Sequence, residues 1–213
     1  MAGNNWLTPY TGGAFDTNAF LAELADGTLL VDAPEGTASW IHRLGRKVDL
    51  LFLTHGHFDH VWDAAAVTAE HGCPVVCHAD TLPMVSDPEY FTKIGFPFSI
   101  QPLTTPPHLI GETDSEQFLG TPCQVLLVPG HCPGSLCLLH KERRVLFGGD
   151  VLFAGGVGRW DLPAGDGPLL FRGIREKLFP LGDDITVLPG HGPSTTIGEE
   201  RTSNPFVGDG VQA

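Results

Sequence analysis

Four short apolar runs in this sequence each lead into a histidine or an aspartate that can bind a metal ion. The runs are Leu50–Leu53, Val125–Val128, Val145–Phe147 and Ile185–Leu188, and glycine or proline directly follows the last three. Aliphatic and β-branched runs of this length, bounded by glycine and proline, predict buried β-strands. The four strands are therefore expected to deliver ligands from their ends to one sheet edge.

The candidate ligands are histidines and aspartates. The first run leads into the string His55-Gly56-His57-Phe58-Asp59-His60, and single ligands follow the later runs. Imidazole and carboxylate suit hard or borderline divalent cations, and seven of them can enclose two ions with positions left for water. One histidine beside a glycine is weak evidence, but so many ligand types at strand ends are not explained by chance. The predicted hydrolytic metal centre comprises His55, His57, Asp59, His60, His131, Asp150 and His191.

The chain around the first ligands suggests a turn followed by a helix. Gly56 is expected to let the chain turn tightly, so that His55 and His57 reach one ion. The alanine-rich stretch from Asp59 to His71, closed by Gly72, predicts a helix with a glycine C-cap. This helix would begin at the metal.

The remaining pattern predicts an alternation of strands and helices. Strands are expected at residues 19–24, 29–32, 50–54, 75–78, 125–128, 136–139, 145–147 and 185–188. Helices are expected at residues 38–44, 59–71 and 168–178. Two sheets covered by helices would account for this order. Residues 81–122 contain seven prolines and several aromatics without clear periodicity, so they form either a binding loop or an ordered excursion that fills the core.

These motifs resemble those of the metallo-β-lactamase superfamily over nearly the whole chain. The segment from Gly190 to Arg201, the triplet Asn204-Pro205-Phe206 and the element Gly158-Arg159-Trp160-Asp161 look like the small glyoxalase II-like hydrolases of that superfamily. The resemblance implies one domain over residues 1–213 with an α/β (α+β) fold, the metallo-β-lactamase-like four-layer αββα sandwich.

The resemblance also implies an activity and its cofactors. His55, His57 and His131 would hold one divalent ion, Asp59, His60 and His191 a second, and Asp150 would bridge them. Zinc is the first expectation, and iron or manganese suit the same ligands. A hydroxide generated on the ions, with Asp59 and Asp150 as the catalytic carboxylates, would cleave a small-molecule thioester such as S-lactoylglutathione.

Two other functions remain open. In an iron-dependent persulfide dioxygenase, His55, His131 and Asp150 would hold a single Fe(II). A non-catalytic metal-binding protein on the same fold is the other alternative. A β-lactamase is disfavoured, because its commonest form is expected to carry cysteine where Asp150 stands and to have an export signal.

Three residues near the predicted ligands have more than one interpretation. Arg159 is the candidate for binding an anionic part of the substrate, since a guanidinium pairs well with carboxylates, but it could instead pair with Asp161 or Asp166. Asp32, which ends an apolar run, either supports a metal ligand or starts a turn. Cys132 neighbours His131 and is expected to stay off the metal, because the other ligands suffice.

The composition of the chain limits the classes of partner and the cellular locations that are expected. The chain has 12 basic and 25 acidic residues and a formal net charge of −13, which disfavours nucleic acid. No apolar stretch approaches the roughly 20 residues that span a bilayer, and Met1 to Phe15 lacks the apolar core of a secretory signal, so a cytoplasmic location is expected. The five cysteines lack a Cys-x-x-Cys pair, which favours reduced, mostly buried thiols.

Overall fold

The computed structural model describes residues 6–211, and the chain divides into two compact units. One unit comprises Met1–Ile110 and Gln117–Thr121, and the other comprises Gly111–Glu116 and Pro122–Ala213. The expectation of a single domain over residues 1–213 stays a prediction. Among residues 6–211, no helix has the length and apolar character needed to cross a membrane.

A six-stranded sheet organises the first unit, and its strands lie side by side in chain order. Its strands are β1 (Leu7–Gly12), β2 (Thr17–Leu24), β3 (Gly27–Val31), β4 (Leu50–Phe52), β5 (Val75–Cys77) and β6 (His108–Leu109). β1, β2 and β3 pair antiparallel, whereas β3 to β6 pair parallel. The carboxyl ends of β3, β4 and β5 therefore meet at one edge of this sheet.

Five helices belong to the same unit. They are α1 (Thr37–Leu44), α2 (Phe58–Val61), α3 (Ala64–His71), α4 (Leu82–Ser86) and α5 (Tyr90–Lys93). Their apolar side chains, including Ile41, Val67 and Phe91, form one core with Leu30 and Leu51 of the sheet. Burial of this core is what fixes the helices on the sheet.

The second sheet also has six strands, in the order β14-β13-β10-β9-β8-β7. Its strands and a separate hairpin, β11 with β12, are β7 (Thr113–Phe118), β8 (Thr121–Leu127), β9 (Leu136–His140), β10 (Val145–Gly149), β11 (Leu152–Phe153), β12 (Gly156–Val157), β13 (Thr186–Pro189) and β14 (Thr195–Thr196). β8 runs antiparallel to β9, β9 antiparallel to β10, and β10 parallel to β13. β8, β10 and β13 thus share one direction.

Two helices accompany the second sheet. α6 (Gly167–Gly173) continues into a π-helical turn over Ile174–Leu178, and α7 (Ile197–Ser203) follows β14. Leu170, Ile174 and Ile197 from these helices are buried in one core with Leu146 and Val187. All eight predicted strands and the first and third predicted helices are confirmed, with ends that differ by a few residues.

The prediction of one helix over residues 59–71 is wrong, because the helix breaks between α2 and α3. The amide of Asp63 donates to the carbonyl of Ala33 (2.8 Å), so it is lost from the helical ladder. The Asp63 carboxylate accepts a hydrogen bond from the amide of Ala38 (3.0 Å), in the first turn of α1. The predicted cap is confirmed, since Gly72 has a φ of 64° and donates to Thr68.

Helix α7 was not predicted, although the sequence carries its signal. Thr196 and Glu199 form a reciprocal capping box, in which each side chain accepts from the other residue's amide. This pattern of threonine followed three residues later by glutamate marks helix starts.

Candidate metal centre

The first group of predicted ligands follows β4, next to the end of β3. Because β3 and β4 are parallel neighbours, residues just beyond their carboxyl ends lie side by side. Asp32 stands after β3 and Thr54 after β4, and the Asp32 Oδ1 accepts the Thr54 amide at 2.8 Å. This contact ties the strand that carries the ligands to its neighbour.

Asp32 is a buried carboxylate that orients two predicted ligands. Its Oδ2 accepts from the Thr54 hydroxyl at 2.7 Å and from His60 Nδ1 at 2.8 Å. The Thr54 hydroxyl gives its single proton to Asp32, so its oxygen accepts from His55 Nδ1, 3.0 Å away. Both rings thus carry their proton on Nδ1, which makes Nε2 the ligand atom.

Asp32 therefore holds the ring of a predicted ligand, as one of its two interpretations expects, and its support of a metal ligand stays a prediction. Asp32 also has a φ of 58°, in the left-handed region. Aspartate tolerates this left-handed conformation better than most residues, since its short side chain bonds locally.

The other two ligands of the first group lie close by. His55 and His57 offer ring nitrogens within 4.8 Å of each other. The Asp59 Oδ2 lies 3.7 Å from His60 Nε2 and accepts a hydrogen bond of 2.8 Å from the Thr17 hydroxyl. Thr17 opens β2, and nothing in its sequence surroundings linked it to Asp59, which is 42 positions away.

Gly56 has a different role from the one predicted. Its φ lies outside the left-handed region, so the turn itself does not demand glycine. A Cβ at this position would lie 2.5 Å from the Met84 sulfur and 3.0 Å from the Met84 Cβ. Close packing against α4 is therefore the reason that a side chain does not fit between His55 and His57.

The second group of predicted ligands lies at one edge of the second sheet. β10 and β13 are parallel, with Gly149 opposite Pro189, so Asp150 and His191 emerge as neighbours. β8 has the same direction, and His131 follows its end. The Asp150 Oδ2 lies 3.6 Å from His131 Nε2 and 3.5 Å from His191 Nε2. This carboxylate oxygen stands between two imidazoles, as a bridging ligand requires.

The loop after β12 fixes His131. His131 Nδ1 donates to the carbonyl oxygen of Arg159 at 2.7 Å, so Nε2 is again the ligand atom. Gly158 makes the approach possible, because a Cβ there would lie 1.8 Å from the Asp150 carbonyl oxygen. The Gly-Arg element of the sequence thus holds a predicted metal ligand through its backbone.

The Arg159 side chain forms an ion pair with Asp161, which is one of the two pairings expected from the sequence. Its Nε and Nη2 donate to the two carboxylate oxygens of Asp161 at 2.8 Å and 3.0 Å. Both side chains are more than 60% exposed (61% and 67%), so this pair is screened by water. Binding of substrate by Arg159 stays a prediction.

A buried carboxylate that the sequence did not reveal anchors the β11–β12 hairpin. Glu200 of α7 accepts from the amide of Gly155 (2.9 Å), from the Thr195 hydroxyl (2.6 Å) and from the Asn204 amide group (2.7 Å). Asn204 also donates to the Gly156 carbonyl. The motif residues of the tail thereby hold the hairpin that precedes Arg159.

The cysteines agree with the sequence analysis. All five cysteines are buried, and none forms a disulfide within residues 6–211. Burial raises the pKa of the Cys77 and Cys137 thiols to about 12. The Cys132 Sγ lies 3.3 Å from the Ser135 hydroxyl. His42 is exposed beside Glu70, and His78 accepts from the amide of Asp80.

The donor sets of both units fit divalent metal ions. Imidazole nitrogens and carboxylate oxygens are ligands of zinc, iron and manganese. His55, His60 and His131 each have Nδ1 engaged by a protein acceptor, which is the usual support of a metal-bound imidazole.

Similarity to known proteins supports the binding of divalent metal ions. Residues 12–191 match the sequence profile of the metallo-β-lactamase superfamily. The hydroxyacylglutathione hydrolase GloC of Haemophilus influenzae is 39% identical over 169 residues, which are 78% of this chain and 79% of that protein. The crystal structure of the BLEG-1 B3 metallo-β-lactamase has a TM-score of 0.86 and 32% identity, covering 94% and 99% of the two chains. That of TTHA1623 in a di-iron-bound form has a TM-score of 0.82 and 35% identity, covering 93% and 99%.

The chain belongs to the metallo-β-lactamase superfamily. Its fold class is the α/β metallo-β-lactamase fold, as the sequence predicted. It is thus a protein of the metallo-hydrolase class, whose members bind divalent metals.

Proposed function

We propose that this protein is a thioester hydrolase of glyoxalase II type, with S-lactoylglutathione as the first substrate to test. The 39% identity to a hydroxyacylglutathione hydrolase over about four fifths of both chains supports this substrate class. The partner is a small molecule, and neither nucleic acid nor a membrane is part of the proposal.

Residues of both ligand groups would hold the proposed ions. His55, His57 and His131 would bind one divalent ion, zinc in the first instance, while iron and manganese fit the same donors. Asp59, His60 and His191 would bind the second ion, and Asp150 would contribute to both. When bound, the ions supply Lewis acidity and lower the pKa of a water molecule toward neutrality.

The observation that carries the proposal is the support of His60 by buried Asp32. In the proposed centre His60 would bind the second ion, whereas a mononuclear iron site needs only three protein ligands. Its ring is held with Nε2 toward Asp59 (3.7 Å), which is a ligand of the same ion. A second ion site with its own oriented ligands favours hydrolysis over single-iron oxygen chemistry.

The other groups of the site position these ligands. Thr17 holds Asp59 in place, and the Arg159 carbonyl fixes the His131 ring. Asp59 and Asp150 are the catalytic carboxylates of the proposal, because each contributes an oxygen to the reacting centre. No protein nucleophile is required in this scheme.

The test is thiol release from S-lactoylglutathione in anaerobic buffer, with metal content measured on the same sample. We expect release at the same rate with and without oxygen, and we expect His191→Ala to abolish it. His42→Ala is the matched control, since His42 is an exposed histidine paired with Glu70, and it should keep full activity.

Two outcomes would assign a different activity. Oxygen consumption with glutathione persulfide, together with no thioester cleavage at any metal loading, would identify a dioxygenase. Hydrolysis of a chromogenic cephalosporin faster than any thioester would identify a β-lactamase, the activity named for the BLEG-1 relative.

A further inference from the structure

A cavity of about 200 Å³ lies in the first unit, and the predicted ligand Asp59 forms part of its wall. The turn between β1 and β2 forms one side, α2 contributes another, and residues beyond α5 close it. Four of the ten lining residues are aromatic, namely Phe15, Phe58, Trp62 and Phe98.

The aromatic rings form a connected wall. The Phe58 ring centroid lies 4.2 Å from that of Phe98 and 5.1 Å from that of Phe15. The Trp62 and Phe98 centroids are 5.8 Å apart. Phe58, Trp62 and Phe98 also pack against the core of this unit, which keeps the wall in place before a ligand arrives.

Residues 81–122, for which a binding loop and a core-filling excursion were both expected, contribute to this wall. Phe91 and Ile100 of that segment are buried in the core, whereas Phe98 reaches the cavity beside Asp59. The segment therefore contributes both to the core and to the wall of the cavity.

The described side chains of the cavity wall give an anionic occupant no cationic partner. Among the described lining residues, the only charged side chains are Asp59 and Glu35, and neither lysine nor arginine is present. Asp59 is a proposed metal ligand. The exposed Glu35 at the rim is therefore the remaining charged side chain that an occupant of the cavity would meet. A second anion close to Glu35 would be repelled, while an uncharged apolar group would lose only its contact with water.

The volume sets the size of the occupant. An apolar cavity of about 150 Å³ accommodates benzene, so about 200 Å³ admits one aromatic ring with a short alkyl chain. Aromatic rings in the occupant can also stack edge to face on the rings of the wall.

We infer that this cavity binds an uncharged aryl or branched alkyl group of the substrate, and that the enzyme prefers thioesters that carry one. The inference rests on the proposed thioester hydrolysis. It assigns Trp62 and Phe98 as specificity-determining residues. The acyl part and the thiol carrier can each present such a group, and two substrate series distinguish them.

The first series varies the acyl group on N-acetylcysteamine, comparing acetyl with 3-phenylpropionyl. The second varies the thiol of acetyl thioesters, comparing N-acetylcysteamine with benzyl mercaptan. In one of the two series, we expect kcat/KM to be about tenfold higher for the phenyl compound, because its ring leaves water. Equal kcat/KM values in both series would overturn the inference.

The variants test the residues of the wall. In Trp62→Ala and in Phe98→Ala, the ratio of kcat/KM for the phenyl compound to that for its small partner should fall to about one. Ile94→Ala is the matched control, because Ile94 is an exposed apolar residue of the same segment, and its ratio should stay at the wild-type value. A ratio that survives in both wall variants would contradict the assignment.

A charge reversal at the rim gives an independent test that does not disturb the core. Glu35→Lys should raise the kcat/KM for a succinyl thioester relative to the uncharged phenylpropionyl thioester about fivefold. Glu142→Lys changes the net charge equally at another exposed glutamate and should leave the ratio unchanged. An equal change of this ratio in the two variants would contradict the argument from the charge of the cavity, because the net charge of the protein would then account for the effect.

Direct binding separates this inference from the proposed function. Calorimetry with 3-phenylpropionamide, compared with propionamide, should detect binding of the phenyl compound alone, whether or not any thioester is cleaved. Phe98→Ala should weaken this binding about tenfold, while Ile94→Ala should not. Cleavage of thioesters without such binding would sink the inference and leave the proposed function intact.

Discussion

The substitution Asp32→Ala removes the carboxylate that orients two proposed metal ligands. This side chain is buried and accepts hydrogen bonds from the Thr54 amide, the Thr54 hydroxyl and His60 Nδ1. Hydrogen bonds to a charged group are worth about 1.5–3 kcal/mol each and are not additive when they share one acceptor. Alanine in the left-handed conformation of this position (φ 58°) costs about 1 kcal/mol more.

The expected loss of unfolding free energy for Asp32→Ala is about 3–5 kcal/mol, close to that for breaking a buried pair. Asp32→Asn keeps an acceptor for the Thr54 amide and tolerates the backbone conformation, so about 1–3 kcal/mol is expected. In Asp32→Asn, the Nδ2 group that replaces Oδ2 can accept neither from His60 Nδ1 nor from the Thr54 hydroxyl. Support of the ligands is then lost, and metal affinity should fall about 10- to 100-fold.

Stability is measured by urea unfolding in the presence of a chelator, so that lost metal does not contribute to the result. Metal affinity is measured separately by competition with a chromogenic chelator. Asp49→Asn is the matched control, because Asp49 also accepts a backbone amide, that of Thr28 (3.0 Å), away from the ligands. If Asp32→Asn binds metal as tightly as Asp49→Asn does, Asp32 does not support the ligands as argued.

Three further predictions follow from particular contacts. Asp150→Ala should lower the metal content per chain, because Asp150 lies between two imidazoles, while His42→Ala should not; elemental analysis that finds equal content in both would exclude the bridge. Arg159→Ala should raise KM for an anionic thioester with little change in kcat, and steady-state kinetics in which Asp161→Ala has the same effect would show that only their ion pair matters. Burial raises the pKa of the Asp63 carboxyl, so the folded chain holds this proton more tightly and stability falls as pH rises through the carboxyl range. Asp63→Asn should therefore raise the melting temperature relative to wild type more at pH 7 than at pH 4, and an equal shift at both would contradict that reasoning.

The strands were predictable because their signals are local. Residues 125–128 and 145–147 are apolar runs followed directly by proline or glycine, and runs bounded in this way indicate strands. The helix over residues 59–71 was mispredicted for the opposite reason. Alanine favours a continuous helix, but the Asp63 amide finds its partner in Ala33, thirty positions earlier, and a tertiary contact overrode the local preference.

The proposed ligands were also readable in the sequence, because a metal site demands particular side chains at particular chain positions. The groups that orient them were not. Thr17 carries no motif, and Arg159 acts on His131 through its backbone carbonyl rather than its side chain. A backbone carbonyl is present at every position, so no residue pattern marks the one that matters.

The sequence by itself determined the superfamily, the predicted ligand set and most strands, because these depend on residue type and short-range order. The tertiary structure alone decided which imidazole nitrogen faces the metal, why Gly56 must be glycine and which aromatic rings line the cavity beside Asp59. All three depend on contacts between residues far apart in the chain, such as His60 with Asp32, Gly56 with Met84 and Phe58 with Phe98. Such contacts are set by how parallel strands and helices pack, and the residues that make them look ordinary in the linear chain.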